Sequence, residues 1–282
     1  MKKHLNDIEL SRSILCAELC YQSYGLVTRH DEVKAVCVEL LGTKPECFQS
    51  FLKEYQDTQA MVLNSEDEIY LVFPGTDGAT DISTDVNFEL VGFGAGHIHK
   101  AFLDVSSNTY PKIIEAVKNI LASKPDSKLI VTGHSLGGAL AMLYTFMLRR
   151  EGIEVEELIT FGQPRVGNGK FAKEFAALSV PYTRFVNKSD IVPDVPPPWD
   201  KHDWTHAGKR LTFNENGALQ EAILSDETDA LRRVIEVILR AITMWFQNER
   251  KVDEKLKASV MNSVDHGMVI YLKNLKNLIR NK

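Results

Sequence analysis

The 282-residue sequence is poor in cysteine and in long apolar runs. No stretch approaches the roughly 20 apolar residues of a membrane-spanning helix, so no transmembrane segment is expected. Lys2 and Lys3 are not followed by the apolar core of about 7–15 residues that a secretory leader carries. The expectation is a cytoplasmic protein, or one exported without a leader. Lys and Arg form no long block and the net charge is −5, which gives no electrostatic footprint for nucleic acid. Only four cysteines are present, Cys16, Cys20, Cys37 and Cys47, and none is paired with histidine at metal-ligand spacing. Cys16 and Cys20 stand four apart on an expected helix and read as core packing. H-E-x-x-H is absent too, so neither a metal nor another cofactor is expected. There is no internal repeat and no low-complexity tract.

What is present is an alternation of strands and helices. With 44% hydrophobic and 25% charged residues, the chain suits one large α/β domain over 1–282. Residues 8–24 carry Ile8, Ile14, Leu15 and Leu19 at near-helical spacing. Residues 60–63 and 68–73 read as strands joined by a polar turn, and 101–123 as one helix stopped near Pro125. A strand at 128–132, a helix ending at Arg149 and Arg150, and strands at 156–162 and 181–187 follow. This order favours a mostly parallel central sheet with helices on both faces. A helical segment is expected within 226–260, and a last helix at 268–280. On a wheel, Leu231 to Phe246 confine their polar residues to a sector of about 100°. That helix must bury two faces, either between sheet and last helix or partly over a ligand cleft or an apolar surface outside the chain.

The stretch VTGHSLGGALA, 131–141, places Ser135 between Gly133 and Gly137, where the apolar run changes from strand to helix. G-x-S-x-G at such a turn projects the serine hydroxyl over the sheet edge and leaves the Ser135 and Leu136 amides free at a helix N-terminus to bind developing negative charge. A serine is a weak nucleophile alone and needs an imidazole, itself held by a carboxylate. If the partners follow in the order Ser, acid, His, the base is His202, His206 or His266. Asp190, just past the strand TRFVN, is the best placed acid, and Asp194, between Pro193 and Pro196, is second.

Together with TFGQPRVGN at 160–168, FVNKSDIVPDVPP at 185–197 and DHGMVIYL at 265–272, the serine motif resembles the class 3 lipases, the fungal-type lipases of the α/β-hydrolase superfamily. The resemblance runs from about residue 57 to the end of the sequence. It implies the α/β-hydrolase fold, with Ser135 as nucleophile, Asp190 as acid and His266 as base, and with His206 as a histidine that is not the base. It also implies an oxyanion hole made by Leu136 and Thr76, and a lid over 77–96, where Phe88, Leu90, Val91 and Phe93 are apolar. Asp81 and Asp85 match acidic positions of the family and read as structural. The sequence departs from the family in having Pro74 where Arg is usual and Ala101 where Gly is usual.

The activity so implied is that of a serine carboxylic-ester hydrolase, a lipase acting on acylglycerols without cofactor, with transient contact to a lipid interface. A phospholipase A1, a feruloyl-type esterase or an acyltransferase would use the same triad. A catalytically silent lipid-binding protein is the alternative from another class.

Overall fold

The computed structural model describes residues 5–52, 59–75, 89–107, 109–188, 190–196, 202–221 and 266–280. Its strands are β1 (Phe48–Phe51), β2 (Ala60–Asn64), β3 (Glu68–Phe73), β4 (Leu90–Phe93), β5 (Gly96–His99), β6 (Lys128–His134), β7 (Glu157–Phe161), β8 (Gly167–Asn168), β9 (Tyr182–Asn187), β10 (Trp204–Thr205), β11 (Lys209–Phe213) and β12 (Leu219–Glu221). The helices are α1 (Asp7–Ser23), α2 (His30–Leu41), α3 (Lys100–Ser107), α4 (Tyr110–Ser123), α5 (Leu136–Arg150), α6 (Gly169–Ala177) and α7 (Met268–Arg280).

Eight strands form the central sheet in the order β1-β2-β3-β6-β7-β9-β11-β12. The run from β3 to β11 is parallel, and antiparallel strands flank it on both sides. Strand periodicity sorts its side chains onto two faces. Ile69, Leu71 and Phe73 of β3 join α3, α4, α5 and α6 in one core, while Tyr70 and Val72 join α1, α2 and α7 in the other. The expected mostly parallel sheet with helices on both faces is therefore the observed one. On the second face α1 packs along α7, where Lys276 pairs with Glu18. Arg12 of α1 reaches the first residues of two strands, bonding Glu68 of β3 at 2.7 Å and Glu157 of β7 at 3.2 Å.

Cys16, Cys20 and Cys37 are buried in this second core and all four cysteines are free. Burial pushes the Cys20 and Cys37 thiols up to about 12, the behaviour of packing residues. Among the described residues no helix is long and apolar enough to cross a membrane.

Two features differ from the sequence reading. Residues 101–123 are not one helix: α3 ends at Ser107 and α4 begins at Tyr110. Pro111 explains the break, because it has no N–H to donate and its ring would strike the carbonyl of residue 107 in a continuous helix. Second, Leu90, Val91 and Phe93 belong to β4, which pairs with β5 in a separate four-stranded sheet of order β10-β8-β5-β4. Phe93 packs against Phe146 and Phe171, with ring centroids at 5.4 and 6.1 Å. That end of the expected lid is a sheet edge anchored on the core. Residues 77–88, with Asp81, Asp85 and Phe88, and the helical segment 226–260 lie outside the described residues.

Candidate active site

The carboxyl ends of the parallel strands gather the residues singled out by sequence. β6 runs into α5 through Ser135, which adopts φ 55° and ψ −126°. A side chain held there stores about 1–3 kcal/mol of backbone strain. The flanking glycines do not carry this positive φ; they permit close approach. A Cβ on Gly133 would stand 2.2 Å from the Gly137 carbonyl oxygen, and one on Gly137 would stand 2.2 Å from that of Phe73. The elbow is thus pressed against β3 on one side and its own helix on the other. The Ser135 amide donates to Phe161 of β7 at 2.9 Å, fixing the turn to the sheet. The Leu136 amide opens α5 and has no hydrogen-bond acceptor among the described residues, as the start of a helix requires.

Asp190 follows β9, its amide closing a turn onto the Asn187 carbonyl at 3.0 Å. The carboxylate is fully buried and held by three donors. The Val192 amide reaches Oδ1 at 2.9 Å, the Tyr271 hydroxyl reaches Oδ2 at 2.6 Å, and Nδ1 of His266 lies 2.9 Å from both oxygens. Facing a carboxylate, Nδ1 must carry the ring proton, which leaves Nε2 as a lone pair. Nε2 of His266 and Oγ of Ser135 are both sealed from solvent and have no hydrogen-bond partner among the described residues. Gly162, in the TFGQP turn, makes room for the pair. A Cβ there would lie 2.8 Å from Asp190 Oδ2 and 3.0 Å from Cε1 of His266.

His134, the residue before Ser135, packs its ring on His266 with centroids 4.8 Å apart. Burial, then the neighbouring His266, holds its pKa well below the usual histidine value. His202 instead packs edge-on against Trp204. His206 donates from Nε2 to the Pro193 carbonyl at 2.7 Å, and burial followed by the Arg184 charge keeps it neutral. Neither reaches Asp190. Asp194 is buried as well, but it faces Arg210 at 3.7 Å while Arg165 binds its carbonyl oxygen. It holds the loop after Asp190 rather than an imidazole. Thr76 lies outside the described residues, the first position beyond Gly75.

Sequence reasoning missed Tyr271. Its hydroxyl also accepts from the Asn187 amide at 3.0 Å, and burial, then the Asp190 charge, holds it protonated. The signal was available: it stands on the helix that starts two residues after His266, and a buried tyrosine needs a partner for its hydroxyl.

The family model of lipase (class 3) matches residues 70–199. A lipase of Rhizomucor miehei is 37% identical over 169 residues, covering 57% of this chain and 46% of that protein. The chain spans under half the length of the curated relatives it matches. Solved structures extend the likeness. The Rhizomucor miehei triacylglyceride lipase superposes with a TM-score of 0.67 at 30% identity, covering 78% of this chain and 86% of that one. A triacylglycerol lipase whose catalytic centre is a serine protease triad gives 0.66 at 28% identity, covering 80% and 91%. The α/β-hydrolase fold, the four motifs in order and identity sustained across most of a solved relative lead to one conclusion: the chain belongs to the class 3 lipase family.

Proposed function

We propose that the chain is a serine carboxylic-ester hydrolase, a lipase acting on acylglycerols, with Ser135 as nucleophile, His266 as base and Asp190 as its carboxylate. The observation that carries the reading is the pair of buried, unpartnered atoms, Oγ of Ser135 and Nε2 of His266, at the end of a satisfied Asp190–His266 hydrogen bond. A buried polar atom without a partner costs about 1–3 kcal/mol, and these two are a hydroxyl and the free nitrogen of a carboxylate-held imidazole, the groups that nucleophilic acyl transfer requires.

His266 Nε2 takes the Ser135 proton as Oγ attacks the ester carbonyl. Asp190 stabilises the imidazolium and keeps its proton on Nδ1. The Leu136 amide, with Thr76 as second donor, stabilises the tetrahedral oxyanion. His266 then protonates the departing alcohol, leaving an acyl group on Ser135. Water, deprotonated by the same imidazole, releases the acid. The relatives' acylglycerol substrates support the choice of ester.

The test is labelling with a fluorophosphonate together with fatty-acid release from a triacylglycerol emulsion. Wild type takes the label and releases acid, and Ser135→Ala loses both, with turnover reduced by about 10⁶. A Ser135→Ala protein within tenfold of wild type would overturn the mechanism. Turnover confined to phospholipids or feruloyl esters would overturn the substrate.

A further inference from the structure

Tyr24 lies outside every motif discussed above and outside the residues matched by the family model. It caps the C-terminus of α1. Its hydroxyl is 2.5 Å from Nδ1 of His134, and Nε2 of His134 is 2.8 Å from the main-chain oxygen of His266. A carbonyl can only accept, so Nε2 of His134 carries the ring proton. Nδ1 is then the acceptor, and Tyr24 donates to it. Because burial keeps His134 neutral, the ring holds one tautomer. The same hydroxyl abuts the loop that leads to Thr76. A Cβ on Gly75 would stand 2.1 Å from it and 3.1 Å from Cβ of Ser135. One oxygen therefore touches the loop beside the second oxyanion donor and, through one imidazole, the main chain of the base.

We propose that Tyr24 is a positioning residue for ester hydrolysis, holding in place the His134 ring that donates from Nε2 to the main chain of His266. The inference rests on the ester-hydrolase reading above. With Phe at position 24, Nδ1 of His134 loses its donor inside a closed site. The His266 carbonyl still selects the Nε2–H tautomer, but the ring is now held at one end only and can tilt about that single bond. The bond to the His266 carbonyl loses its fixed direction, and His266 shifts relative to Ser135. Displacement of a reacting group by about 1 Å costs up to about 100-fold in rate. Tyr24 acts here on His134 rather than on the ester, so the loss falls on kcat and spares KM.

The experiment compares wild type, Tyr24→Phe, His134→Leu and the double variant. It measures kcat and KM on a soluble p-nitrophenyl ester, the rate of fluorophosphonate labelling, and the urea midpoint. Each single variant is expected to lose about tenfold or more in kcat and labelling rate with KM within about twofold. The double variant should be no slower than the worse single one, since both break one chain. Should His134→Leu fail to fold, His134→Gln takes its place. Its amide N–H supplies the donor to the His266 carbonyl but offers no ring nitrogen for Tyr24 to hold, so its kcat matches that of Tyr24→Phe and adding Tyr24→Phe has no further effect. A Tyr24→Phe enzyme within about twofold of wild type in kcat, a loss expressed in KM, or multiplicative losses in the double variant would overturn the proposal. If wild type itself neither cleaves the ester nor takes the label, the ester-hydrolase reading fails. If wild type does both and Tyr24→Phe matches it, only the positioning role fails.

Discussion

Replacing Tyr271 with Phe removes one oxygen from a site that water cannot enter, since Tyr271 and Asp190 are both fully buried. Two bonds go with it. The 2.6 Å donation to Asp190 Oδ2 is charge-assisted and is worth about 1.5–3 kcal/mol. The Asn187 amide, 3.0 Å from the hydroxyl, is left without this acceptor at a cost of about 1 kcal/mol. Together Tyr271→Phe should destabilise the fold by about 3 kcal/mol, lowering Tm by roughly 6–12 °C for a chain of this size. Asp190 keeps its bonds from Val192 and His266, so the imidazole stays oriented and kcat should fall only about tenfold. Urea unfolding by linear extrapolation, with ester turnover on the same preparations, measures both. A destabilisation below about 1 kcal/mol would refute the reasoning, because the hydroxyl would then be dispensable to the buried carboxylate. So would a loss of turnover near the 10⁴-fold expected for removing the acid, because Tyr271 would then be doing the work of Asp190 itself.

Asp194→Asn and Asp190→Asn should separate folding from catalysis. Losing the buried Asp194 charge beside Arg210, Arg184 and Arg165 should cost about 3–5 kcal/mol in urea unfolding with kcat of the folded protein within about threefold, whereas Asp190→Asn should lower turnover by about 10⁴. Equal turnover losses would mean that the acid is misassigned. Acid sensitivity has a defined sign: His134 and His206 are held below 6.5 in the folded chain, while the unfolded chain binds their protons near 6.5. Their contribution is thus complete above pH 6.5 and is lost as pH falls through that value toward the folded pKa, by up to about 1.4 kcal/mol per pH unit for each ring. His206→Gln should flatten stability between pH 6.5 and 5 by one such increment, and a slope parallel to wild type would contradict it.

Local signals made much of this legible. The buried strand before Ser135 and the helix after it are written as an apolar run with a change of period, and the acid's strand and the last helix stand out in the same way. Asp190 could be ranked because its place past a strand end restricts what it can reach, whereas only the resemblance to the class 3 lipases singled out His266 from His202 and His206. What escaped was what only the third dimension supplies. β8 and β10 are two residues long and have no periodicity to read, so the second sheet was invisible. The split between α3 and α4 was signalled by Pro111, outweighed by the apolar spacing on either side. Gly133 and Gly137 mark the turn in sequence, but their role is spatial: the positive φ falls on Ser135 and the glycines yield space to the Phe73 and Gly137 carbonyls. Tyr24 and Tyr271 contact the site from helices 110 residues before His134 and 81 residues after Asp190, distances over which spacing carries no information.

Arg12 and Tyr24 give α1 a mechanical character. Seventeen helical residues span about 25 Å, close to the roughly 23 Å of the seven-residue β6 beneath them. The helix is therefore a strut as long as the strands it covers. At its lower part a guanidinium grips the first residues of β3 and β7, two strands that flank β6. At its upper end a phenol grips the imidazole where β6 finishes. With β3 and β7 pinned at their starts and β6 at its end to one rigid rod, β6 cannot slide lengthwise past its two neighbours without bending the rod or breaking a grip. Shear along the strand direction is the motion that would carry the Ser135 elbow away from Gly162 at the end of β7, against which Asp190 and His266 pack, so a stiff member lying behind the sheet preserves the alignment of groups it never touches.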